Sequence, residues 1–251
     1  MASATSLSSK DSAVFTALFD AESSPSSGIK IDSSLPYLPH VSESELPGLK
    51  ELELAAIRPL QPAENEGENT TPRRETIEKS IEDLSAIITD HPTYAPAYAN
   101  RAQALRMLID NNGGLFDHCN TTNATLLFSD LGQTISLATP NSPAAALSER
   151  QAQILADAHT HRGYLLYKAA KLVSTSSLEQ LQGGPEKLRD LDKDQLEEMA
   201  SRDFSLGGRY GNKIAQQMAV QTNPYAKMCG AIVKEAMRKE QEEYTSSLES
   251  Y

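Results

Sequence analysis

The stretch Tyr94-Ala-Pro-Ala-Tyr-Ala-Asn-Arg-Ala-Gln-Ala-Leu-Arg106 limits what this chain can fold into more than any other. Tyr98, Ala102 and Leu105 stand at i, i+4 and i+7, so one helical face presents an aromatic, a small and an apolar residue in turn. The small Ala102 allows a second helix to approach closely. Upstream, Ile77, Ile81, Leu84 and Ile88 keep the same spacing, and His91-Pro92 ends that segment because proline disfavours helical geometry in the residue before it. The aromatic–small–apolar spacing returns at His159, Gly163 and Leu166. A helix, a proline stop and a second helix with a small residue at mid-face, used more than once, is the grammar of a helical repeat.

Read along its length, the chain predicts an all-α fold of the tetratricopeptide (TPR) type: three helix pairs, C-terminal capping helices and no β-sheet. Residues 1–10 are Ser/Thr-rich and read as disordered. Residues 11–20 read as a short amphipathic helix, with Asp11 as its cap and Val14, Phe15, Leu18 and Phe19 on one face. About nine residues make a marginal helix, so this one is expected to fold back onto the repeat domain. Residues 21–45, rich in Ser and Pro, read as a linker in which Ile29-Lys-Ile31 and Leu35-Pro-Tyr-Leu38 lie extended across the domain surface.

The TPR domain is expected over 46–243, with repeats at 49–92, 95–140 and 144–211, a cap at 212–243 and a tail at 244–251. Leu196, Ala200 and Phe204 form the inward face of the last partner helix, and Gly207-Gly208 is expected to stop it. Residues 109–123 and 174–190 interrupt the pattern as loop insertions. The capping helices are expected to turn Lys234, Arg238, Lys239 and Glu240 to solvent, as a terminal repeat must.

The charge and the cysteines exclude several functions. The formal net charge is −11, without a basic stripe, which argues against binding nucleic acid or anionic lipid. No segment approaches the ~18 apolar residues of a membrane span, and the first ten residues lack the apolar core of a signal peptide. A cytoplasmic protein is therefore expected, with a nuclear one still open. The two cysteines, Cys119 and Cys229, read as reduced thiols, and Cys229 beside Met228 as a core residue.

At Asn223-Pro-Tyr-Ala-Lys-Met-Cys229 the chain resembles the C-terminal signature of the tetratricopeptide repeat protein 36 family, with Asn223, Pro224, Tyr225 and Cys229 as its marks. Ala97-Tyr-Ala-Asn-Arg-Ala-Gln-Ala104 is similar to that family's second repeat. Ser12-Ala-Val-Phe-Thr-Ala-Leu-Phe-Asp20 resembles its N-terminal helix, and Arg202-Asp-Phe204 a step in its third repeat. The two insertions and Pro59 depart from the family pattern. The resemblance implies a small three-repeat scaffold without catalytic residues. It also implies links to tyrosine metabolism, through protection of a tyrosine-degrading enzyme, and to chaperone contact.

Helical spacing sets out candidate groove residues. Asn100, Gln103 and Arg106 share a stripe of the second repeat, and His161, Tyr164 and Tyr167 share one of the third. Aromatic side chains with a polar tip suit a binding surface. A clamp for an acidic chaperone tail needs Lys, Arg and Asn on successive first helices. Asn100 meets that need, but Glu53, Ile57, Asp157 and His161 stand where the other clamp residues belong. Repulsion by Glu53 and Asp157 points to a neutral or basic partner surface.

Asp157 and His161 are i, i+4, a spacing able to grip a cation, but no third ligand is in reach, so no metal and no cofactor are expected. Cys119 has no base partner in the sequence. Two functional classes stay open. The favoured one is a non-catalytic scaffold that binds a protein, with a co-chaperone as its variant. The other is an enzyme or ligand carrier on an all-helical frame, disfavoured because no acid, base and nucleophile converge.

Overall fold

The computed structural model describes residues 29–61, 72–142, 145–175 and 181–248. The expectations for residues 1–28 lie outside them. The described residues form helices α1 (Leu46–Ile57), α2 (Arg74–Asp90), α3 (Ala95–Asp110), α4 (Thr121–Ala138), α5 (Glu149–Thr175), α6 (Glu186–Arg189), α7 (Lys193–Arg209), α8 (Lys213–Thr222) and α9 (Pro224–Leu248). Short 3-10 turns follow α1 and precede α4. Proline in the first turn opens both α1 and α3, where a missing N–H costs nothing. Asp192 and Gln195 close a reciprocal cap at the start of α7, and Asn212 caps α8.

From α1 to α5 each helix packs on the next, α5 pairs with α7 past the short α6, α7 packs on α8, and α3 also touches α1 and α5. This is the all-α, TPR-like stack of helix pairs that the spacing predicts. Its one piece of extended pairing among the described residues is a single bridge, Ile31 to Leu147.

The close approaches fall at the small residues. Ala102 is fully buried. A Cβ on Gly163 would stand 3.1 Å from the Phe204 ring and 3.3 Å from the Ala200 carbonyl, so α5 and α7 meet backbone to backbone there. Leu105, Leu166 and Phe204 fill the core around these contacts, while Tyr98 is half-buried and donates its hydroxyl to the Pro92 carbonyl at 3.1 Å.

A second regularity runs through the partner helices: Asp83-Leu84 in α2, Asp130-Leu131 in α4 and Asp203-Phe204 in α7. The apolar member is buried each time. Asp130 receives both arms of Arg101 at 2.7 and 2.8 Å. Asp203 receives both arms of Arg162 at the same two distances, and His159 as well at 2.8 Å. Arg101 and Arg162 stand just before Ala102 and Gly163. The matching place in α1, before Ala56, is Ala55, so Asp83 lacks such a partner and pairs along its own helix with Lys79.

Several sequence expectations are corrected. Gly207-Gly208 does not end α7. A side chain at Gly207 would stand 2.6 Å from Thr160 Oγ1, and one at Gly208 2.7 Å from Gln216, so both glycines serve packing inside the helix. The stop is Gly211, at φ +105° in the left-handed region. The described part of the expected linker does lie across the domain surface at Ile29-Lys-Ile31 and Leu35-Pro-Tyr-Leu38, and it is bound there. From Ile29 on, the chain is strapped to the stack: Asp32 N–H donates to the Leu147 carbonyl at 2.9 Å, Ser148 Oγ to the Tyr37 carbonyl at 2.9 Å and Thr93 Oγ1 to the His40 carbonyl at 3.2 Å. Leu38 is buried in a cluster with Leu49, Leu84, Tyr94 and Leu155.

The two insertions are also more than loops. Leu115 and Phe116 of the first and Leu181 and Leu188 of the second join the main core. Gly183 packs so tightly on the Asp117 carbonyl that a Cβ would lie 2.4 Å from it. Finally, α9 runs beyond Glu243 to Leu248 and makes only small contacts with α7 and α8. Its solvent surface therefore includes Met228, Ile232, Val233 and Met237 besides the expected charges. Cys229 is exposed, not in the core.

Candidate functional site

The first helices of the second and third repeats, α3 and α5, lie side by side and leave a cleft of about 250 Å³. Asn100 and Gln103 line it from α3, and Arg150, Asp157 and His161 from α5. Three of the six residues expected in a groove are thus brought to one cavity. Arg106 and Tyr164 continue this surface toward the C-terminal ends of both helices, whereas Tyr167 is half-buried against the main core. The Arg106 guanidinium lies 5.2 Å from the centre of the Tyr164 ring, and Lys168 Nζ 5.8 Å from it. Lys171 stands 5.1 Å from the Tyr167 ring. Tyr164 is 42% exposed, so its face is shared between these cations and solvent. Arg106 is also tied to Asp110 at 3.0 Å.

The electrostatics differ from the sequence expectation. Acidic groups, Glu53 and Asp157, belong to one end of this surface, and Arg106, Lys168 and Lys171 to the other. Lys168 and Lys171 went unread in the sequence, although each stands i+4 from a candidate tyrosine, a spacing that places them beside it. The Glu53 carboxylate is held in place by two neutral donors, which do not cancel its charge. It accepts hydrogen bonds from the buried Tyr94 hydroxyl and from Asn100 Nδ2, the latter at 2.7 Å. The Asn100 amide that a carboxylate clamp would use is therefore engaged inside the protein. Burial and the Glu53 contact both push the Tyr94 hydroxyl far above its ordinary pKa, so it remains a donor.

His161 is the unusual group of the cleft. Its Nε2 is buried and meets no hydrogen-bond partner, and the same holds for Arg150 Nε on the cleft wall. Burial, helped by the nearby Arg106, pushes the imidazole down to about 4, so it is neutral at physiological pH. Neighbouring His159 faces the opposite way, into the core. It holds Asp203 and stacks on Tyr210 with ring centres 5.9 Å apart. The two histidines thus sit on different faces of α5 and cannot share an ion. Among the described residues no three His, Cys, Asp or Glu side chains form a metal-holding group.

At the far end, Asn223 closes α8 and Pro224 opens α9, with Tyr225 in its first turn. A separate and larger cleft, of about 550 Å³, lies between α5 and the turn joining α7 to α8, and Asp157 belongs to its lining as well. No helix among the described residues is long and apolar enough to cross a membrane.

Comparison with known proteins fits this arrangement. The chain is 58% identical over 248 residues to the L-tyrosine degradation gene cluster protein hmgX of Aspergillus fumigatus, covering 94% of each protein. The chain belongs to the hmgX family. It is also 27% identical to tetratricopeptide repeat protein 36 of Xenopus tropicalis, over 74% of this chain and 67% of that protein, a distant TPR-like relationship. No protein-family model matches the chain, and no solved structure matches it.

Proposed function

We propose that this protein is a non-catalytic TPR scaffold that supports an enzyme of tyrosine breakdown by binding it as a protein. The observation that carries the reading is the α3–α5 surface. It is lined by amides, a neutral imidazole and the charged Arg150 and Asp157, and it leads to the exposed Tyr164 ring flanked by Arg106 and Lys168. Rigid aromatics with polar tips and adaptable amides bind a folded or extended polypeptide at low entropic cost. The tyrosine context comes from the hmgX relative, whose name places it in an L-tyrosine degradation cluster. The distant TPR relative agrees with a scaffold. The engagement of Asn100 by Glu53 argues against the co-chaperone variant, because a clamp must leave that amide to the ligand.

The test uses the purified protein and purified enzymes of tyrosine degradation, one by one, in a binding assay and in an assay of the enzyme's survival against proteolysis. One enzyme is expected to bind the wild type and to be protected. The Tyr164→Ala/Tyr167→Ala variant is expected to bind it about tenfold or more weakly while keeping its helical spectrum. The reading is overturned if no enzyme binds, if the double variant binds unchanged, or if an acidic chaperone-tail peptide binds tightly instead.

A further inference from the structure

The larger cleft has an apolar strip of isoleucines, alanines and Tyr210, rimmed by polar side chains such as Glu149, Gln153 and Lys213. Ala152 and Ala156 of α5 form its floor with Tyr210, and Ile214 of α8 and Ile31 of the strap stand at its edge. Ile214 is 67% exposed and Ile31 45%, and both belong to this one cavity. A cavity of about 550 Å³ is in the size range that takes up a compact apolar ligand. A lone exposed isoleucine is ordinary, but two bordering one apolar cavity mark a surface that gains by being covered.

We propose that the occupant is this chain's own segment 11–20, docked as a short helix with Val14, Phe15, Leu18 and Phe19 in the cleft. The position of the strap argues for it. The described chain begins at Ile29, partly buried against the core, and two residues later Ile31 is at the rim of the cleft. Nine residues, Asp20 to Gly28, separate Phe19 from that point, and they are mostly Ser, Ala, Pro and Gly. A linker of that kind has a root-mean-square span of roughly 15–18 Å. A linker of this length lets Phe19 reach the cleft. At such tethering the effective concentration is on the order of millimolar, enough for a weak helix–cleft contact to be filled most of the time. The chemistry also matches on both sides. A nine-residue helix is marginal in water and gains stability only by burying its apolar face. The cleft offers an apolar floor of alanines, whose small side chains leave room for two phenylalanines. Asp157 borders both this cleft and the α3–α5 cleft, so the docked segment lies one helix away from the proposed partner surface without occupying it.

The experiment uses the full chain with both exposed thiols removed, Cys119→Ser and Cys229→Ser. One form adds Phe15→Cys and Ile214→Cys, and a second adds Phe15→Cys and Gln103→Cys in the α3–α5 cleft. Both are oxidised mildly at low protein concentration and mapped by mass spectrometry. The 15–214 disulfide is expected within single chains, forming about tenfold or more faster than the 15–103 disulfide. Equal rates, a faster 15–103 pair, or a 15–214 bond found only between two chains would each overturn the proposal, the last in favour of a second copy. Amide exchange on the chain without these substitutions supplies the second reading. Amides of residues 12–20 are expected to be protected, and Ile214→Asp, a change at an exposed position, is expected to abolish that protection. Full exchange of residues 12–20 in the unaltered chain overturns the proposal independently. Neither measurement depends on whether an enzyme of tyrosine breakdown binds.

Discussion

Removing the Asp203 carboxylate strands Arg162 and His159 together, because it accepts from both inside the α5–α7 contact. Burial alone would raise this carboxyl, but the two donors hold it below the usual carboxylate range. Breaking a buried pair by deleting one partner typically costs about 3–5 kcal/mol. Asp203→Ala and Asp130→Ala are therefore expected to lower the urea midpoint strongly. Asp83→Ala, at the same step of the first repeat, is expected to leave the midpoint almost unchanged, since its Lys79 pair is exposed. Equal losses at all three positions would refute the distinction. His161 gives a second residue-scale prediction. Its folded pKa, about 4, lies below the ordinary value of 6.5, so between those limits the unfolded chain binds the proton and the folded chain does not. The stability associated with the neutral ring is fully present above pH 6.5 and is lost as pH falls toward 4. The total is on the order of 3 kcal/mol. His161→Gln is expected to flatten the denaturant midpoint across this window relative to wild type, and an unchanged slope would show that the ring is not desolvated.

At the scale of elements, the α5–α7 pair depends on Gly163 in the way the spacing implies. Gly163→Leu is expected to overpack the contact with Phe204 and Ala200, lowering stability by about 1–3 kcal/mol in thermal or urea unfolding. Gly211→Ala should be milder, since nothing lies within 4 Å and only the positive φ is strained. Elements of this kind were legible because their signals are local and periodic. Ala102, Gly163, Leu105 and Leu166 sit at helical spacing, and His91-Pro92 marks a helix stop. The candidate groove was legible for the same reason: Asn100, Gln103 and His161 reach one cleft because two parallel stripes face each other. What was not legible depends on contacts distant in sequence. Gly207-Gly208 carries the composition of a stop signal, and only the nearness of Thr160 and Gln216 explains why the helix continues through it. That Glu53 also anchors Tyr94 and Asn100 depends on contacts 41 and 47 residues apart, which no local pattern shows. The two insertions looked like loops because the partner of each is the other, and no period connects Phe116 with Leu181.

For the whole molecule, the strap changes how a repeat stack should behave. A plain solenoid is held by contacts between neighbouring repeats, so its ends can fray independently. Here residues 29–41 run from the α4–α5 junction, where Ile31 pairs with Leu147, past the α2–α3 junction, where Thr93 holds the His40 carbonyl, and into α1. Leu38 is 3% exposed and packs in one cluster with residues of α1, α2 and α5. It therefore joins the first repeat to the third in a single cluster, to which Ala97 and Ala138 of the second repeat also belong. Leu38→Ala should cost about 2–5 kcal/mol, as for other buried leucines. The more diagnostic consequence lies in how that loss is distributed. Without the Leu38 contact, α1 and α2 keep only their neighbour contacts, so their amides are expected to exchange before those of α5 and α7. In the unaltered chain, all four helices are expected to exchange in one cooperative step. Hydrogen exchange resolved by peptide on both forms distinguishes the cases. If α1–α2 and α5–α7 lose protection to the same extent in Leu38→Ala, the strap adds stability but does not couple the ends. If α1–α2 already exchange early in the wild type, the ends were never coupled.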